Sequence, residues 1–136
     1  MAVKCMQKLY IADDNLEFAQ YLAVVAEAEG WSVEVCENGR VLIERLQVTD
    51  GPALLLVDMN MPDVDGIEAI DGVADVDRRL RVRFMTGAVE TALIAAKLIA
   101  EARSIKVGRS IYKPVSLDNF RKILRDEANA LQLLEH

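Results

Sequence analysis

With 136 residues, 52% of them hydrophobic but only 5% aromatic, the chain suits one domain with an aliphatic core and is too short for two. Sixteen basic against 22 acidic residues leave a net charge of −6, which argues against general affinity for nucleic acid or anionic membrane. Neither a signal-peptide pattern nor an apolar run of membrane-spanning length is present, so a cytoplasmic protein is expected. Cys5 and Cys36 are too few and too far apart for a disulfide framework or a zinc site; they read as reduced, partly buried thiols. His136, the single histidine, ends the chain. Residues 134–136 therefore read as a vector-derived tag remnant, with residues 1–133 as one domain, and histidine-based triads and metal sites are excluded.

Strand-like and helix-like patterns alternate along the chain. Lys8–Ala12 predicts a first strand. Leu16–Glu29 follows as a helix, with Phe18, Leu22 and Val25 at helical spacing and Gly30 closing it. Trp31–Cys36 alternates Trp31, Val33 and Val35 against polar partners, as in a half-covered edge strand. Arg40–Gln47 is a short helix and Thr49-Asp50-Gly51-Pro52 a turn. Ala53–Val57 is unbroken aliphatic, as a central parallel strand covered on both faces should be. A loop, Met61–Gly66, leads to a third helix from Ile67. Arg81–Met85 is the fourth strand, Val89–Arg103 a long fourth helix, and a fifth strand ends at Tyr112. Leu117–Leu134 is the terminal helix, with Leu117, Phe120, Leu124 and Leu131 inward. Five such units predict an α/β fold: a five-stranded parallel doubly wound sheet of order 2-1-3-4-5 flanked by five helices, a flavodoxin-like three-layer sandwich.

In such sheets ligands bind beyond the carboxyl ends of the strands, where strand order reverses. Asp13-Asp14, Asp58, Thr86 and Lys113 each stand at or just past such an end. Strands 1 and 3 are neighbours in that order, so Asp13 and Asp14 face Asp58. Three close carboxylates repel, and a hard cation relieves the repulsion; Mg²⁺ prefers a few carboxylate oxygens, retained waters and phosphate oxygens. The backbone carbonyl of Asn60 is placed to complete the ligand set. Lys113 supplies a mobile positive charge and Thr86 a hydroxyl donor, groups that suit phosphoryl oxygens, while Gly87 leaves room for backbone approach. Asp58, central in the sheet, is the predicted nucleophile for an in-line attack on phosphorus.

These pieces, Asp13-Asp14, the run Asp58-Met59-Asn60-Met61-Pro62-Asp63-Val64-Asp65-Gly66, Thr86-Gly87 and Lys113-Pro114, resemble the receiver domain of two-component response regulators over the whole chain. The resemblance implies a signalling switch rather than an enzyme. Asp58 would take a phosphoryl group from a histidine kinase or phosphotransfer protein. Asp14, Asp58 and the Asn60 carbonyl would hold Mg²⁺, with Asp13 acting through water. Thr86 and Lys113 would bind the aspartyl phosphate, the Lys113–Pro114 bond would be cis, and the switch would act on an effector protein or domain through the face of helix 4, strand 5 and helix 5. A monomer or a phosphorylation-dependent dimer is implied. Two departures stand out. The family's switch aromatic, three positions before the lysine, is Ser110 here, and Tyr112, two residues on, is expected to share its strand face and part of its role. Thr86 to Lys113 also spans 27 positions, several more than the family leads one to expect, so helix 4 or the segment Glu101–Arg109 should be extended.

Simpler roles compete at single positions. Asp13-Asp14 alone would suit a turn and a helix N-cap. Pro62 and Asp65-Gly66 shape a loop, and Met59 and Met61 pack. Arg78, Arg79, Arg81 and Arg83 read as a solvated turn and strand edge rather than a nucleic-acid surface, since the chain is acidic and no groove-reading motif accompanies them. Among other functions, a haloacid-dehalogenase-type phosphatase needs an Asp-x-Asp pair after strand 1, and this pair is adjacent. A flavin module needs a phosphate loop where two aspartates stand. A pseudo-receiver that is never phosphorylated is disfavoured by the intact acidic set.

Overall fold

The structure, a computed structural model, describes residues 7–61, 66–87 and 91–134. Cys5, Pro62, Asp63, Val64, Asp65, Ala88, the predicted helix start at Val89 and His136 lie outside the described residues. The elements are β1 (Lys8–Ala12), α1 (Leu16–Ala28), β2 (Ser32–Cys36), α2 (Gly39–Leu46), β3 (Ala53–Asp58), α3 (Gly66–Ala74), β4 (Leu80–Thr86), α4 (Thr91–Ala102), β5 (Lys106–Val107), β6 (Ile111–Tyr112) and α5 (Leu117–Leu134). All pairings are parallel, in the order β2-β1-β3-β4, with β5 and β6 both pairing with β4 in the fifth position. The doubly wound order is the one predicted.

Alternation of side chains across β1 and β3 builds two apolar layers. Leu9, Ile11, Leu54 and Leu56 face α1 and α5, joining Leu22, Trp31, Phe120, Leu124 and Leu131. Tyr10, Ala12, Leu55 and Val57 face α2, α3 and α4, joining Leu42, Leu46, Ile70, Leu93 and Ala96. Every residue of β3 is buried, which is why its sequence is aliphatic without a break. The cap of α1 is Asn15, whose side chain accepts the Phe18 N–H; the aspartate pair leaves that role to its neighbour. Gly30 ends the helix at φ +98°, the left-handed conformation that favours glycine there. Cys36 is the buried thiol expected, and burial, with Glu34 adding and Arg45 opposing, pushes it up to about 12.

The fifth strand departs from expectation. The α4 helix stops at Ala102, and the fifth position is filled by two short segments with a bulge between them. Val107 pairs with Val82 and Ile111 with Met85, so four steps on the fifth strand span three on β4. One extra residue reverses the alternation: Val107 packs on the α2–α3–α4 layer and Ile111 on the α1–α5 layer. The N–H of Gly108 still reaches the Val82 carbonyl at 2.9 Å, and that of Lys113 reaches Thr86 at 2.8 Å, so the ladder is anchored on both sides.

Two of the arginines correct the sequence reading: β4 lies inside the sheet, so Arg81 and Arg83 are not a solvated edge, while Arg79 in the turn before it is exposed as expected. Arg81 and Arg83 converge on Glu127 of α5, which is 1% exposed; Arg81 Nε and Nη2 hold its two oxygens at 2.8 and 3.1 Å, and Arg83 Nε reaches it at 3.3 Å. Gly108 lies against this cluster, where a Cβ would stand 2.9 Å from Arg83 Nε and 3.1 Å from Glu127 Oε1. Arg78 donates to the carbonyls of Leu46, Asp50 and Gly51 and to the Tyr10 hydroxyl, clamping the loop that enters β3.

Candidate functional site

Parallel pairing of β1, β3 and β4 brings their carboxyl ends level, and the residues predicted to meet there do meet. Asp58 ends β3 opposite Met85. Thr86 ends β4, buried, and Tyr112 is its partner across to β6. Lys113 follows β6 directly, and its bond to Pro114 is cis, as expected. Its ammonium lies 2.8 Å from Asp13 Oδ2 and 3.3 Å from Asp58 Oδ1, although a hundred positions separate Lys113 from Asp13.

Asp13 is fully buried and doubly held: Oδ2 takes the lysine, and Oδ1 accepts the Asn15 N–H at 2.9 Å. Asp14 beside it is exposed. Carboxylate oxygens of Asp13, Asp14 and Asp58 lie within 4.8 Å of one another. Burial first, then the charge of Asp13, raises the Asp58 carboxyl above the ordinary carboxylate range; Lys113 and the backbone N–H of Asn60 offset this only in part. Burial alone would lower Lys113, but its hydrogen bond to Asp13 and the charges of Asp58 and Asp13 outweigh it and hold the amine above its usual range. Asn60 is exposed at the mouth of the site.

Chemically, the arrangement pairs a partly buried carboxylate with a cation that reaches it and with a second carboxylate that repels it. Three carboxylates against one ammonium leave two negative charges, the charge of one divalent cation. All-oxygen donors at this spacing suit a hard cation such as Mg²⁺ rather than a soft metal.

Around Tyr112, Ser110 and the first half of α5 a groove of about 480 Å³ opens, lined also by Arg83, Lys122 and Asp126. Ser110, Ile111 and Tyr112 all line it. The Ser110 hydroxyl is buried there without a hydrogen-bond partner among the described residues, while Tyr112 is half-exposed. Reasoning from sequence missed Glu127. Its signal was available: it falls on the stripe Phe120, Leu124, Glu127, Leu131, opposite two arginines spaced by two on β4. It missed Phe18 as well, whose ring lies beside the lysine, with Lys113 Nζ 4.9 Å from the ring centroid.

Residues 9–125 match the family described as the response regulator receiver domain. The response regulator receiver protein CpdR of Brucella abortus (strain 2308) is 34% identical over 88 residues, covering 65% of this chain and 72% of that protein. A CheY-like receiver domain protein from Methanospirillum hungatei JF-1 superposes with a TM-score of 0.77 over 94% of this chain and 98% of its own, at 16% identity. The CheX-CheY-BeF3-Mg complex from Borrelia burgdorferi gives a TM-score of 0.71 at 19% identity, covering 91% of this chain and 88% of that one.

Proposed function

The chain belongs to the response regulator receiver family, the phosphoacceptor domain of two-component signalling, and from that premise we propose that Asp58 is its acceptor. The observation that carries the assignment is the Lys113 ammonium bridging Asp13 and Asp58 at the carboxyl end of the central strand. An oxygen of Asp58 attacks phosphorus as the bond to the donor breaks; with a phosphohistidine donor, the P–N bond pair leaves with the imidazole. Lys113 loosens from Asp58 to meet the incoming phosphoryl oxygens, and Asp13 keeps it within reach. The Thr86 hydroxyl takes another of those oxygens, which draws the end of β4 towards the site.

The donor set fits Mg²⁺: Asp14, Asp58 and the Asn60 carbonyl would hold it, with Asp13 acting through water. When bound, the ion neutralises phosphoryl charge and lets a crowded carboxylate stay ionised. The donor is a histidine kinase or phosphotransfer protein. The output surface is α4, β6 and α5, where Ile94, Leu98 and Tyr112 are exposed. Tyr112 shares the groove of the Ser110 hydroxyl and takes part of the switching. The domain acts as a switch in the cytoplasm, with no reaction released to solution beyond loss of its own phosphate.

Labelling with acetyl phosphate, read by intact mass, tests the assignment. One phosphoryl group on the native chain, absent without Mg²⁺ and absent in Asp58→Ala, is expected. An unlabelled chain that still binds Mg²⁺ would make it a binding module that is never phosphorylated.

A further inference from the structure

We propose that Phe18 is a positioning residue for the lysine of the phosphoryl site, an inference that rests on Asp58 being the acceptor. Four groups close a cycle at the corner between α1 and β6. The Phe18 N–H donates to Asn15 Oδ1 at 3.1 Å, and the Asn15 N–H donates to Asp13 Oδ1 at 2.9 Å. Asp13 Oδ2 holds Lys113 Nζ at 2.8 Å, and that ammonium returns to the Phe18 ring, 4.9 Å from its centroid. The N-terminal turn of α1 is thus joined to the lysine both through hydrogen bonds and through the ring.

The ring supplies something the carboxylates cannot. Lys113 carries its charge on a flexible four-carbon stem, and a quarter of its side chain is open to solvent. When a phosphoryl group arrives on Asp58, the ammonium must leave one oxygen for another without swinging out to water. The π face of Phe18 attracts it throughout that exchange, because the attraction is to a ring that does not change charge. An aliphatic side chain of like volume would fill the same half-buried place on the α1–α5 layer and would leave the ammonium freer.

The test uses the full chain with ¹³C-labelled lysine, the Lys113 signal being assigned by its loss in Lys113→Arg. Ring current should shift the Lys113 ε protons upfield in the native chain, and Phe18→Leu should return them to the ordinary lysine position. Phe18→Leu should also slow phosphoryl gain from acetyl phosphate in Mg²⁺ by about three-fold, the size of a partly exposed cation–π contact. Phe18→Tyr, which keeps the π face, should retain both properties. An unshifted Lys113 signal in the native chain, or a Phe18→Leu chain labelled as fast as native, overturns the proposal. If Phe18→Leu and Phe18→Tyr slow labelling alike, ring packing rather than the cation contact is at work, and the proposal also fails. A native chain that takes no label sinks the acceptor assignment, a result distinct from normal labelling with an indifferent Phe18.

Discussion

Removing the carboxylate of Glu127 should cost more than any other single polar change on the α5 side of the sheet. It is buried, and Arg81 and Arg83, only 19% and 12% exposed, depend on it. In Glu127→Gln the amide oxygen can still accept from one arginine, but both arginines lose their counter-charge. Breaking a buried pair from one side costs about 3–5 kcal/mol, and the residual exposure of both arginines places this case near 3. For a chain of this length that lowers Tm by roughly 10 °C. Trp31, the single tryptophan, is buried in the same α1–α5 layer, so its fluorescence reports the urea transition directly. The chain with Arg81, Arg83 and Glu127 all changed to Met should recover to within about 1 kcal/mol of native, because apolar packing replaces a cluster whose charges were costly to desolvate. A loss below about 1 kcal/mol in Glu127→Gln, or a triple variant no more stable than the single one, would refute the reasoning.

Asp58 gives a test with a definite sign. Its folded-state pKa is raised, so ionising it opposes folding. The penalty is absent below the ordinary carboxylate pKa, grows as pH rises through the raised value, and is complete above it. Asp58→Asn should therefore be more stable to urea than the native chain at pH 7 in chelator, the two converging towards pH 4, and Mg²⁺ should narrow the gap; equal stability at pH 7 counts against the cost of burying Asp58 beside Asp13. At the groove, Tyr112→Ala should keep Mg²⁺-dependent labelling while weakening phosphorylation-dependent binding to an effector, measured by pull-down; unchanged binding removes Tyr112 from the switch.

Much of this was legible in the sequence. Strand order and the meeting of Asp13, Asp58, Thr86 and Lys113 follow from aliphatic runs that each end in a polar residue, and β3 announces its central place by having no polar position until Asp58. Two features were not legible for physical reasons. The fifth strand consists of two paired segments of two residues, too short for any periodicity to show, and the bulge between them cancels the alternation that would have linked them. The arginines of β4 look like surface residues because arginine usually is one; only the buried glutamate on α5, remote in sequence, makes them interior. The capping role of Asn15 was hidden by the two aspartates before it, equally good cap formers, of which Asp13 is instead held by Lys113.

The bulge also bears on how this chain can change length. Because β6 is tied to β4 on its own, with the Lys113 N–H fixed to the Thr86 carbonyl, the lysine is located from its own end of the strand. Residues gained at the exposed turn Arg103-Ser104, ahead of β5, are taken up before the chain reaches β6 and leave the lysine where it was. This stretch is the place where a peptide, a tag or a reporter loop can be inserted with the phosphoryl site kept in register, while the same insertion after Ile111 would move the ammonium off both of its carboxylates.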